Sequence, residues 1–86
     1  MRDRETLAYA IAVYGREAQI TKAVEELAEL SVELLHYQER GGSADAVREE
    51  IADVGIMLDQ LTLIFGGTEA FRRRKIERLR ERLGLS

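Results

Sequence analysis

The segment from Gln19 to Leu35 carries two rows of side chains, both at the spacing of an α-helix. The apolar row consists of Ile20, Ala23, Leu27, Leu30 and Leu34. The polar row consists of Gln19, Lys22, Glu26, Glu29 and Glu33. Residues three or four positions apart lie on one side of a helix, so three carboxylates are stacked one turn apart and repel each other. Water tolerates such a row, but a row that faces another helix requires a cation.

Gly15 and two glycine pairs divide the chain into four predicted helices, at residues 3–14, 16–40, 44–65 and 69–83. Gly41-Gly42 and Gly66-Gly67 end two of them, and Ser43 and Thr68 are suitable N-caps for the helices that follow. The three-residue connections predict antiparallel neighbours. The two central helices are each about 33 Å long or more, at a rise of 1.5 Å per residue. We therefore expect a single all-α domain over residues 1–86, built on a long antiparallel helical hairpin with short flanking helices. Two such hairpins would form a four-helix bundle core on dimerisation.

Composition limits the class of protein. Charged residues make up 34% and hydrophobic residues 45% of the chain, without proline, which suits amphipathic helices. The absence of cysteine excludes disulfides and thiolate metal sites. The charged start is not followed by a long apolar run, so we expect no signal peptide, and no stretch reaches the roughly 20 apolar residues of a membrane span. A cytoplasmic protein without a membrane partner is the expectation.

The two signs of charge are separated along the chain, although the net charge is only −3. Acidic residues concentrate in residues 25–53. The basic residues of the last segment are Arg72, Arg73, Arg74, Lys75, Arg78, Arg80 and Arg82. A nucleic-acid-binding protein usually carries a net basic face. Here an acidic centre matches the basic segment, so pairing within the protein explains the pattern equally well, and nucleic acid is not the expected partner.

Glu50 and Asp53 fall on the apolar side of the third predicted helix. At about 100° per residue they share that side with Val54, Met57, Leu61 and Ile64. Burying an ionised carboxylate is costly unless the group is paired or binds a metal. These two acids are therefore the second half of a candidate site.

The hairpin brings the two acidic groups together. With its turn near Gly42, residue 29 lies opposite about residue 55, and residue 33 opposite about residue 51. Glu26, Glu29 and Glu33 then stand within a turn or two of Glu50 and Asp53, and Lys22 is the nearby cation. A cluster of oxygen ligands without His or Cys suits a hard cation, Mg²⁺ or its substitute Mn²⁺. The alternative is a solvated acidic face balanced by the basic last helix.

The sequence resembles a known family in these motifs. Glu25-Glu26-x-x-Glu29, followed after twenty residues by Glu50-x-x-Asp53, is similar to the signature of the MazG-like all-α nucleoside triphosphate pyrophosphohydrolases. The likeness runs from Gly15 to about Leu83, and the sequence is similar to short, single-domain members from bacteria and phages. It implies a Mg²⁺-dependent split of a (d)NTP into (d)NMP and pyrophosphate, in nucleotide-pool housekeeping. The metal ligands it implies are Glu26, Glu29, Glu50 and Asp53.

The resemblance leaves further roles to the flanking polar residues. Glu25 or Glu29 is the candidate general base, since a carboxylate not fully engaged by metal can accept a proton from water. The candidate substrate-binding residues are Gln19, Lys22, Lys75, Arg78 and Arg80. Their cations would bind phosphate oxygens, and Gln19 would hydrogen-bond a base or a water.

Two other functions fit the same residues. The chain could be a non-catalytic helical dimerisation or adaptor module whose acids only pair with its arginines. It could also bind nucleic acid through residues 72–82, in which case affinity would fall steeply with salt. The enzyme, acting as a homodimer or a dimer of dimers, is the preferred hypothesis.

Overall fold

The computed structural model describes residues 2–85, which form four α-helices and no strands. The helices are α1 (Asp3–Tyr14), α2 (Arg16–Arg40), α3 (Ala44–Phe65) and α4 (Glu69–Arg82). The all-α prediction is therefore confirmed, and the expected bounds hold except that α4 ends one residue earlier.

The turn between α2 and α3 is fixed by local hydrogen bonds. Gly41 adopts the left-handed conformation with φ 64°, and the N–H groups of Gly41 and Gly42 both donate to the carbonyl of His36. This is the usual way in which a glycine just past a helix satisfies the last carbonyls. Ser43 then caps α3, because its Oγ accepts a hydrogen bond from the Ala46 N–H at 3.3 Å. The turn sends α3 back along α2, and these two helices form the main packing contact of the fold.

The interior of the hairpin is small and partly polar. Helix α1 packs against both α2 and α3. Among residues 2–85 the buried apolar residues are Ala23, Val54 and Met57, and the buried polar residues are Gln19, Glu26 and Gln60. The face of α2 that meets α3 is therefore centred on the polar row as much as on the apolar row.

Two expectations about the core are wrong. Leu27 and Leu34 belong to the apolar row of the second predicted helix, but both are exposed in this chain. Tyr14 follows Leu7 and Ile11 at helical spacing, which predicts that it faces the core from α1, but it is 67% exposed. In α2 the row containing Gln19 and Glu26 lies inside, which leaves Leu27 and Leu34 outward.

Helix α4 does not pack on the rest of the described chain. It makes no packing contact with α1, α2 or α3, and its axis is bent by 120° from that of α3. The expected antiparallel packing of α3 and α4 is therefore wrong. Gly66 has a φ of 107°, a conformation open mainly to glycine, and this residue sends the chain away from the hairpin. Thr68 occupies the N-cap of α4, but its side chain makes no capping hydrogen bond.

No single helix within residues 2–85 is both long enough and apolar enough to cross a membrane; only α3 and α4 taken together, across their bend, meet that requirement.

Candidate metal centre

Three of the acids singled out above meet between α2 and α3. Glu26, Glu29 and Glu50 each offer a carboxylate oxygen, and these oxygens lie within 4.8 Å of one another. Glu26 is buried, Glu50 is half-buried and Glu29 is exposed. The cluster is thus open on one side and closed on the other, as required of a site that exchanges a ligand with solvent. The predicted convergence of carboxylates across the hairpin is confirmed for these three residues.

Two carboxylate oxygens in the cluster lack a partner. Glu26 is 7% exposed, and its Oε1 accepts an ion-pair contact from Lys22 Nζ at 3.1 Å. Its second oxygen, Oε2, is buried and accepts no hydrogen bond from the described chain. Glu50 Oε2 is in the same condition. A buried polar atom without a partner in a native protein is commonly explained by a water or an ion.

The electrostatics of Glu50 show how strongly the site opposes negative charge. The pKa of Glu50 is raised above its usual value of 4.5, chiefly because burial withdraws the carboxylate from water. The negative charges of Glu29, Asp53, Glu26 and Glu33 raise this pKa further. A divalent cation in the cluster would reverse both effects. The donor set consists of carboxylate oxygens, which Mg²⁺ and Mn²⁺ accept readily.

Asp53 and Glu25 stand at the edge of this cluster. Asp53 is exposed and influences Glu50 through its charge, but its oxygens are not in the three-carboxylate group. Glu25 is also exposed and lines a neighbouring cavity. The structure therefore brings three of the four expected metal ligands together and leaves the fourth one turn away on α3.

Lys22 connects the cluster to that cavity. Its ammonium is bound by Glu26, and the pKa of Lys22 is raised by this hydrogen bond and by the charge of Glu26, with smaller contributions from Glu25 and Glu29. Lys22 also lines the cavity. A cation at this boundary is available to an anionic group that enters from the cavity side.

The cavity lies between α1 and the hairpin and has a volume of about 860 Å³. This volume is within the range of small-molecule sites, which are mostly apolar with a few placed polar groups. The apolar part of the lining includes Leu7, Ala10, Tyr14, Ile56 and Met57. The polar part includes Gln19 and Gln60, both buried, so the cavity has the polarity pattern of a ligand pocket.

Gln60 was missed by the sequence reasoning. Its side chain is 3% exposed, and its Oε1 is buried without a hydrogen bond from residues 2–85. A signal was present in the sequence, because Gln60 follows Asp53 by seven positions and so lies on the same side of α3. A glutamine on an otherwise apolar helix face marks a site for the same reason that the two acids do.

The predicted basic residues of the last helix are not part of the site of their own chain. Lys75, Arg78 and Arg80 lie on α4, which packs against none of α1–α3. The structure therefore assembles Gln19 and Lys22 with the carboxylates and separates the three α4 cations from them.

The aromatic side chains also differ from expectation. Tyr14, Tyr37 and Phe65 are the aromatic residues nearest the ends of the hairpin in sequence, for which core packing is favoured over base stacking, yet all three are exposed. Tyr14 lines the cavity, and Phe65 lies under the guanidinium of Arg16, with 5.1 Å between Cζ and the ring centroid. Tyr14 is thus the aromatic ring placed to contact a flat ligand.

No protein-family model, curated protein or solved structure matches the chain.

Proposed function

We propose that this protein is a Mg²⁺-dependent nucleoside triphosphate pyrophosphohydrolase, converting a (d)NTP and water into (d)NMP and pyrophosphate. The observation that carries the proposal is the convergence of Glu26, Glu29 and Glu50 between α2 and α3, with two buried unpartnered oxygens beside an 860 Å³ cavity. An adaptor module has no use for buried carboxylate oxygens that lack a partner, such as Glu26 Oε2 and Glu50 Oε2. A triphosphate-binding enzyme requires them.

The residues present fit a divalent metal ion. Glu26 and Glu50 would each supply a buried oxygen, and Glu29 an exposed one, with Asp53 in reach of the same side. When bound there, the metal would neutralise phosphate charge and lower the pKa of a coordinated water. Without it, the acidic cluster would repel a triphosphate.

The chain's own residues would then bind and orient the substrate. Lys22 lies between the cluster and the cavity and would donate hydrogen bonds to phosphate oxygens. The apolar walls of the cavity would take the nucleoside, with Tyr14 against the base and the amides of Gln19 and Gln60 bound to its polar edge. Glu25 or Glu29, the two exposed acids at this boundary, would accept the proton of the attacking water.

The same proposal includes a homodimer or a dimer of dimers. The chain exposes 6995 Å² of surface, whereas a folded monomer of 9.8 kDa is expected to expose about 5,200 Å². The excess of about 1,800 Å² per chain exceeds the roughly 800 Å² that each partner buries in a standard interface. An apolar row on the outer side of the hairpin supplies such a surface: Val24, Leu27, Leu35, Ile51 and Leu58 are all exposed. Packing two of these faces would build the four-helix bundle.

The decisive experiment measures pyrophosphate and monophosphate release from mixed (d)NTPs with Mg²⁺. We expect activity in the native chain and a loss of more than about 100-fold in Glu50→Gln, beyond the 10–100-fold typical of residues that only orient a metal ligand. Glu49→Gln is the matched control, because it removes the same charge from an exposed neighbour and should retain activity. Absence of pyrophosphate release with either Mg²⁺ or Mn²⁺ would reject the enzyme and favour the adaptor.

A further inference from the structure

Helix α4 has a face of mixed apolar and basic side chains that nothing else in the described part of its chain covers. A groove of about 490 Å³ on this face is lined by Phe71, Arg72, Lys75, Ile76 and Leu79, with Thr68 at one end. Phe71 is 60% exposed, and Ile76 and Leu79 are also exposed. A helix of 14 residues is marginal in water by itself, so its stability requires packing of this apolar face.

The position of α4 makes the whole chain extended. The radius of gyration is 16.0 Å, whereas a domain of this length is expected near 12 Å. The helix projects from the hairpin as an arm, at the end of a connection that turns by 120°. The arm has an uncovered apolar face, and the chain as a whole has excess surface. Two copies with such arms can each pack the arm on the other, which is a reciprocal exchange.

A complementary groove lies on the hairpin. It has a volume of about 260 Å³ and is lined by Ala28, Glu29, Val32, Glu33 and Glu50. Val32 is exposed, so the groove presents an apolar wall beside three carboxylates. The α4 face presents apolar side chains around the cations of Arg72 and Lys75. The two surfaces match in both hydrophobicity and sign of charge.

We propose that α4 of a second copy of this chain packs into the hairpin groove and brings Lys75 and Arg72 to the carboxylate cluster in trans. The apolar residues Ile76 and Leu79 lie against Ala28 and Val32, and the two cations border Glu33 and Glu29. The exchange is reciprocal, so one pair of chains contains two such contacts. Each site is thereby completed by a residue of the partner copy.

This packing explains the position of the α4 cations, which sequence reasoning assigned to the substrate site. Within one chain they are separated from the carboxylates, but the exchanged arm places Lys75 beside them. There it offsets the negative charge of the groove and stands next to the place where phosphates bind. The phosphate-binding part of this inference rests on the proposed function, whereas the packing of the arm does not.

Cross-linking tests the packing without any assay of activity. The chain has no native cysteine, so single substitutions give unambiguous disulfides. Mixing Val32→Cys chains with differently tagged Leu79→Cys chains under mild oxidation should give a covalent heterodimer. Val32→Cys mixed with Ala12→Cys, an exposed position on α1, is the control pair and should give none above background. Failure of the Val32 and Leu79 pair to cross-link overturns the proposal, and so does an intrachain disulfide in the doubly substituted chain.

A charge swap tests the predicted partners. Lys75→Glu in both members of the pair should lower the cross-linking rate by about tenfold or more, because like charges then meet across the contact. Adding Glu33→Lys to both should restore the rate. An unchanged rate in Lys75→Glu, or no restoration by Glu33→Lys, would refute the placement of Lys75 against Glu33.

Subunit mixing tests the contribution to the site. Glu50→Gln and Lys75→Ala chains should each be weakly active alone, whereas a mixture should regain up to a quarter of the native activity, since half of the pairs are mixed and each contains one intact site. No regain, with cross-linking intact, would mean that Lys75 packs in trans without serving the substrate. If the native chain releases no pyrophosphate, the proposed function fails while the cross-linking result still decides the packing.

Discussion

At the scale of single residues, the surroundings of Glu50 destabilise its ionised form. Burial raises its pKa above 4.5, and the charges of Glu29 and Asp53 add to that effect. The unfolded chain releases this proton near pH 4.5, whereas the folded chain releases it at a higher pH. Folding is therefore penalised increasingly as pH rises from 4.5 through the folded pKa.

Glu50→Gln should consequently raise the melting temperature at pH 7 in the absence of divalent metal. The gain should disappear as pH falls below about 4.5, because the native carboxyl is then protonated and neutral in both states. Thermal unfolding across pH 3.5–8 with a chelator present measures this difference. Glu49→Gln is the control and should show no such gain, because Glu49 is exposed outside the cluster. A lower melting temperature for Glu50→Gln at pH 7 would show that Glu50 forms a stabilising ion pair instead.

With divalent metal bound, the native chain should be more stable than Glu50→Gln, the reverse of the order expected without metal. Native chains gain stability from Mg²⁺ or Mn²⁺ that binds only the folded state, by about 2.7 kcal/mol at one hundred times the dissociation constant. Glu50→Gln lacks one ligand and should gain much less. Titrating Mn²⁺ against the melting temperature of both chains measures the effect. An equal response in the two chains would place the metal elsewhere.

Gln60 also lowers the stability of the folded protein, although its side chain is uncharged. A buried polar atom that lacks a hydrogen bond costs about 1–3 kcal/mol, so Gln60→Met, which is close in shape, should stabilise the free protein by roughly 1 kcal/mol. The same change should raise KM for the substrate, because the amide can no longer bind the ligand. Denaturant unfolding and steady-state kinetics separate the two effects. A less stable variant with unchanged KM would show that Gln60 serves the fold alone.

At the scale of the helices, the two N-caps that the sequence placed alike differ in the structure. Ser43 Oγ accepts the Ala46 N–H, whereas Thr68 makes no capping bond. Ser43→Ala should therefore cost about 1 kcal/mol, a fall in melting temperature of about 4–8 °C for a domain of this size. Thr68→Ala should change it by much less. Equal effects of the two substitutions, measured by thermal unfolding, would contradict the difference between the caps.

The helix bounds were predictable because they depend on local chemistry. Glycine at residues 41 and 66 and serine at residue 43 act through their own backbone or side chain, and the sequence shows them directly. The side of α2 that lies inside was less predictable, since Glu26 and Leu27 compete for it. Glu26 is buried because α3 packs on that side of α2. The spacing of residues within α2 does not show which side another helix covers. The convergence of Glu26 and Glu50 was predictable because a short turn fixes the pairing of two long helices.

The direction of α4 was not predictable from a three-residue loop. Such loops commonly return a helix along its neighbour, but that rule assumes that the two helices have apolar faces for each other. Helix α4 is strongly basic and makes no packing contact with α3, so the apolar pairing that the rule assumes is absent. Gly66 permits the alternative direction through its positive φ. That the α4 cations serve the substrate site stays a prediction. It requires that α4 of another chain bring them to the carboxylates.

At the scale of the whole molecule, the described chain has too small an interior for its surface. Its buried apolar residues include Ala23, Val54 and Met57, and no large side chain among residues 2–85 is fully buried. A domain of this size is marginal even with a well-filled core. The exposed outer face of the hairpin and the uncovered face of α4 are sufficient to supply the missing burial. Folding and association are therefore expected to be coupled.

Coupling of this kind makes the melting temperature depend on protein concentration. A tenfold rise in concentration stabilises a dimer by about 1.4 kcal/mol, which raises the melting temperature of a pair of this size by about 3–6 °C. Thermal unfolding from about 1 to about 100 µM, a hundredfold range, should show a shift of about 6–12 °C in the native chain. The double substitution Ile76→Ser and Leu79→Ser should lower the melting temperature, because it removes apolar side chains from the interface between the two copies. A melting temperature that stays constant over this range would mean that the small interior is sufficient, because a monomer gains nothing from a second copy.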